Sequence, residues 1–144
     1  MRRLTCTSVI ALAVLGCGTE PIELASSYTV RTVEGTSPPR LVAATVECDV
    51  LVGGGHLAFT ETDHFELGLD VLTDCSRTGD APNEATYGYT GTVQIDGRRV
   101  TFHTANGGGP ISFDGQGTSA SWLEVVVPGL VPLADQVTVE FAPD

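Results

Sequence analysis

The sequence predicts an all-β domain over residues 27–144, an antiparallel up-and-down meander of about eight or nine strands that closes into a small barrel. Three observations predict it. From residue 27 onward apolar side chains alternate with polar ones, the period of a half-buried strand. The chain's 17 glycines fall at short intervals, where turns belong. No stretch holds a helical period. A sheet of many short strands must also dispose of its two edges, and closure removes them altogether; a β-sandwich is the alternative architecture.

The elements follow in order. Tyr28-Thr29-Val30 reads as the first strand. Gly53-Gly54 reads as a two-residue hairpin turn that sets Val50 opposite Leu57 and Cys48 opposite Phe59. A second turn at Glu61-Thr62-Asp63 sets Phe59 opposite Phe65, and Leu67, Leu69 and Val71 continue the same face. Asp96-Gly97 has the composition of a type I′ turn, which places Val93 against Val100. Strand parity then puts Tyr87, Tyr89, Val93, Ile95, Val100 and Phe102 inside, and Thr90, Thr92, Gln94, Arg99, Thr101 and His103 in water. Ile111-Ser112-Phe113, residues 122–127 and residues 137–141 supply the last strands.

Ahead of the domain lies a different kind of segment. Met1-Arg2-Arg3 is basic, and residues 4–15 are largely apolar but too few to cross a hydrocarbon core, which takes roughly 20 residues as a helix. The run ends in Val14-Leu15-Gly16-Cys17, which resembles the lipobox of bacterial lipoproteins. The resemblance implies that residues 1–16 are a signal peptide and that Cys17 becomes the lipidated first residue. Residues 17–26 are then a tether, and Gly18 in place of Asp points to the outer membrane. Cleavage after Ala11-Leu12-Ala13, of the ordinary secretory kind, is the alternative.

In that scheme Cys6 is removed and Cys17 carries lipid, which leaves Cys48 and Cys75. Two remaining cysteines in an oxidising compartment are expected to pair. This collides with the Gly53-Gly54 turn, whose register sets Cys48 level with Phe65, ten residues from Cys75. Ten extended residues span about 33 Å, whereas a disulfide requires Cα atoms within about 7 Å. One expectation has to give way, and the disulfide is the better founded.

Charge excludes several function classes. Without residues 1–16 the chain keeps five arginines, no lysine and all 18 acidic residues, a formal charge of −13. Neutralising a nucleic-acid backbone is disfavoured, and so is electrostatic adhesion to anionic lipid. Membrane residence therefore depends on acyl chains at Cys17.

The domain's opening Tyr28-x-Val30-x-x-Val33-x-Gly35, its repeated hairpins and the pairing of Gly91-Thr92-Val93 with Val100-Thr101-Phe102 resemble the small lipocalin-like β-barrel lipoproteins of bacteria. The resemblance covers most of residues 27–144 and implies an up-and-down barrel. The Gly-x-Trp signature of true lipocalins is absent.

Residues that could carry chemistry are few. Gly117-Thr118-Ser119-Ala120-Ser121 departs from a nucleophile elbow at its fifth residue. His64 and Glu66 share a strand face with His56 close by, an arrangement that solvated strands produce routinely. Asp96-Gly97 and Asp114-Gly115 read as turns rather than calcium loops. Tyr87 and Tyr89 are the candidates for lining a ligand cavity, although a filled core is the preferred reading. The expectation is a non-enzymatic envelope module without metal or cofactor that binds another envelope component. A carrier of a small apolar ligand is the alternative.

Overall fold

A computed structural model describes residues 22–61, 63–106, 109–118 and 121–144. Nine antiparallel strands are present: β1 (Ser27–Val33), β2 (Arg40–Ala44), β3 (Asp49–Glu61), β4 (His64–Asp74), β5 (Asn83–Asp96), β6 (Arg99–Asn106), β7 (Gly109–Gly117), β8 (Leu123–Pro128) and β9 (Gln136–Pro143). Each strand from β3 to β9 pairs with its sequence neighbour, and β9 then pairs with β1. Closure comes where Ser27, Tyr28 and Thr29 pair with Ala58, Leu57 and His56 of β3. Eight strands thus form an up-and-down barrel, and β2 lies outside the ring on the first half of β3.

The interior follows from strand parity. Tyr28, Leu57, Phe65, Leu67, Leu69, Val100, Phe102, Leu123, Val125, Val139 and Phe141 are all buried, each flanked along its strand by more exposed residues except at Gly68. Aromatic rings fill the middle. Phe102 stacks on Phe113 at a centroid distance of 5.0 Å and meets Phe65 edge-on at 4.9 Å.

Two predicted turns differ from the observed ones. Residues 49–61 form one continuous strand through Gly53-Gly54-Gly55, so no hairpin turns there. A I′ turn needs positive φ at both central residues. Of these three glycines only Gly55 adopts it, at +153°. Close approach requires only one of them to be small: a Cβ on Gly55 would stand 2.3 Å from the Gly68 carbonyl oxygen, whereas one on Gly53 or Gly54 would meet nothing nearer than 3.6 Å. The register also shifts between Val52 and Gly54, where β3 exchanges one neighbour, β2, for another, β1.

At the other turn Asp96 pairs with Arg99, so the two-residue loop is Gly97-Arg98. Only Gly97 has positive φ, at +62°, as a II′ turn requires at its first central position. Val93 therefore faces Phe102, not Val100. Because the shift is an even number of residues, the assignment of faces survives it. Ile95 is the exception, since at the rim it is 42% exposed rather than internal.

The meander sorts its connections to two ends. One end holds residues 22–26, the β3–β4, β5–β6 and β7–β8 connections, and the C-terminal Asp144. The opposite end holds the β1–β2, β4–β5, β6–β7 and β8–β9 connections together with the Cys48–Cys75 disulfide.

Candidate functional site

The interior is the natural place for a ligand in such a barrel, and side chains occupy it. Tyr89 is 6% exposed, packs 5.7 Å from the Phe113 centroid and donates its hydroxyl to the Pro128 carbonyl at 2.8 Å. Tyr87, two residues away, is half-buried against the same core. The structure brings the two candidates onto one face, with the hydroxyl of Tyr89 bonded to the base of the β8–β9 connection. At that same end of the barrel Val131 turns inward from the connection and is 4% exposed.

The end that receives the chain is closed by the chain itself. Ile22 donates its N–H to the Gly97 carbonyl at 2.9 Å and lies over Gly117, where a Cβ would stand 2.3 Å from Ile22 Cδ1. Ala25 donates its N–H to the Tyr28 hydroxyl at 2.9 Å, and burial holds the Tyr28 hydroxyl above its ordinary pKa. Leu24 and Ala25 pack on the core. The expected tether of residues 17–26 is thus docked from Ile22 onward, while Cys17 and residues 1–16 lie outside the described residues. No sequence period marks this docking. In the sequence Gly97 reads as a turn residue and Gly117 as the start of the Gly117–Ser121 stretch, and neither carries a sign that Ile22 covers it.

Polar side chains brace the same end. Arg98 donates from Nε to the Gly117 carbonyl at 3.0 Å and from Nη2 to the Thr118 carbonyl. Arg31 lies 3.5 Å over the Trp122 ring and reaches Glu140 at 3.3 Å. Asp144 accepts from Thr29, and its hydrogen bonds hold its carboxyl below the usual range.

The outer face carries the remaining candidates. A concavity of about 410 Å³ lies over Gly53 between Asp70, Leu72, Glu84 and Thr86, with Thr86 donating to Asp70 at 2.7 Å. His56, His64 and His103 are all exposed. His56 lies 3.8 Å from Glu66, His64 lies 2.7 Å from Asp63, and His103 meets Ser112 at 2.8 Å. His64 and Glu66 do not converge on one point with a third ligand; among the described residues no three His, Cys, Asp or Glu side chains are grouped to hold a metal. Of the serine-rich stretch, Ser119 lies outside the described residues, and Ser121 sits in the β7–β8 connection with positive φ.

Cys48 and Cys75 are joined by a disulfide, with Cα atoms 4.1 Å apart. Removing the Gly53-Gly54 turn is what reconciles the register with this bond. Among the described residues no helix is long and apolar enough to cross a membrane. Comparison with protein families, with curated proteins and with solved structures finds no match.

Proposed function

We propose that this chain is a bacterial envelope lipoprotein, anchored through acyl chains on Cys17 after removal of residues 1–16. Its barrel is a non-enzymatic binding module that works through its outer surface, and Gly18 after the cysteine directs it to the outer membrane. The observation that carries the module reading is the filled interior: Phe65, Phe102 and Phe113 pack ring against ring where a carrier would hold its ligand. The charge of the mature chain favours a protein or other envelope component over a nucleic acid.

The purified domain should be titrated with N-phenyl-1-naphthylamine, an apolar dye whose emission rises on burial. The module reading expects no saturable binding. One-to-one binding that Tyr89→Ala alters would replace it with the carrier reading.

A further inference from the structure

We infer that the barrel stands end-on against the membrane, resting on the end that carries Ile22, Trp122 and the Gly97-Arg98 turn, with the disulfide end facing away. This inference rests on the lipid anchor at Cys17 and adds to it the surface that meets the bilayer.

Reach holds this end near the bilayer. Ile22 is fixed to the barrel by its hydrogen bond to Gly97 and its seat on Gly117. Four residues lie between it and Cys17, and the five Cα–Cα steps, fully extended, span no more than about 18 Å. An acylated Cys17 therefore keeps this end close to the headgroups whatever path those residues take. The opposite end is displaced by the height of the barrel: the eight residues of β9 run about 25 Å, which at the usual strand tilt is roughly 20 Å along the axis.

The residues at the two ends differ in the same sense. The chain's single tryptophan lies at the anchored end, half-buried beneath the Arg31 guanidinium. Tryptophan with an adjacent cation is suited to the headgroup layer, where an apolar ring and a polar rim are both accommodated. Arg98 and Arg99 stand at the same end. Glu34, Glu47, Asp74, Asp80, Glu84 and Asp135 are at the opposite end, with Arg77 among them, an acidic excess that an anionic membrane surface would repel. Glu23, Glu61, Asp63, Asp96 and Asp144 lie at the anchored end, so electrostatic attraction is not what holds it there. The tether does.

The test uses the lipidated full-length protein in vesicles of phosphatidylethanolamine and phosphatidylglycerol containing a dansyl-headgroup lipid, with energy transfer read from Trp122. The companion variant, Trp122→Phe with Val46→Trp, moves the donor to the opposite end at a site that is 90% exposed. Transfer several-fold stronger from Trp122 than from position 46 is expected. Equal or reversed transfer in protein that floats with the vesicles would overturn the orientation and leave the anchor intact. Protein that fails to float would overturn both.

Discussion

Cys48 and Cys75 form the rung that follows Asp49 and Asp74, the last paired residues of β3 and β4. The disulfide therefore staples two neighbouring strands at the point where their backbone pairing stops. Arg77, two residues on, reinforces the same place by bonding Asp49 at 2.6 Å and the Thr45 carbonyl at 2.9 Å.

Replacing both cysteines by alanine should lower unfolding free energy by about 3 to 4 kcal/mol on the chain-entropy estimate for a 27-residue separation. Denaturant titration of oxidised, reduced and doubly substituted protein measures this. The oxidised domain should also titrate without a free thiol, and two reactive thiols in folded protein would contradict the pairing.

Much of the barrel is legible in the sequence because parity is robust. The Glu61-Thr62-Asp63 turn sets Phe59 against Phe65, as observed, and the shift at Gly97 left the core face of β5 and β6 largely unchanged because it was even. What failed was the meaning of glycine. A run of glycines signals a turn or a close backbone approach equally well, and here the run's third residue, Gly55, sits tight against Gly68 while Gly53 and Gly54 simply continue the strand. The expected eight or nine strands match the observed nine only because the sequence splits β3 in two and hides β2, whose short Arg-Leu-Val-Ala-Ala run lacks alternation. The docking of Ile22 was illegible because it depends on tertiary contacts with Gly97 and Gly117.

Glycine's role can be tested by contrast. A Cβ at Gly91 would lie 2.0 Å from the His103 carbonyl oxygen, whereas one at Gly53 would find its nearest neighbour at 3.8 Å. Gly91→Ala should destabilise by roughly 1–3 kcal/mol or more through forced backbone displacement, and Gly53→Ala should stay within about 0.5 kcal/mol. Thermal melts of the two variants check the ordering.

Leu133 makes the opposite case. Val131-Pro132-Leu133-Ala134 is a turn closed by the Ala134 N–H on the Val131 carbonyl, and Leu133 occupies its third position at φ +63° while 61% exposed. That position favours glycine. Leu133→Gly should therefore raise stability by about 1 kcal/mol by relieving left-handed strain. An unchanged or lowered melting temperature would show that the leucine side chain contributes packing that outweighs the strain.

Tyr28 predicts an alkaline limit. Burial raises its pKa above the ordinary 10.0, against the smaller opposing effect of the Ala25 hydrogen bond. The folded state thus resists an ionisation that the unfolded chain accepts. Stability from this source is complete below about pH 10 and is lost as pH rises beyond it. Tyr28→Phe should lower stability at neutral pH by about 1 kcal/mol through the unpaired Ala25 N–H, and should flatten the decline above pH 10. Urea midpoints from pH 8 to 11 for the two proteins give the comparison.

Whether lipid on the first mature residue holds the barrel to the membrane can be read from the intact mass of protein extracted from membranes of the expressing cell. The expected chain begins at Cys17 and carries a diacylglyceryl group, with or without an additional amide-linked acyl chain, and Cys17→Ala should move the protein to the soluble fraction. A chain that begins at Val14 with an unmodified Cys17, or one that retains residues 1–16, would contradict the lipid anchor.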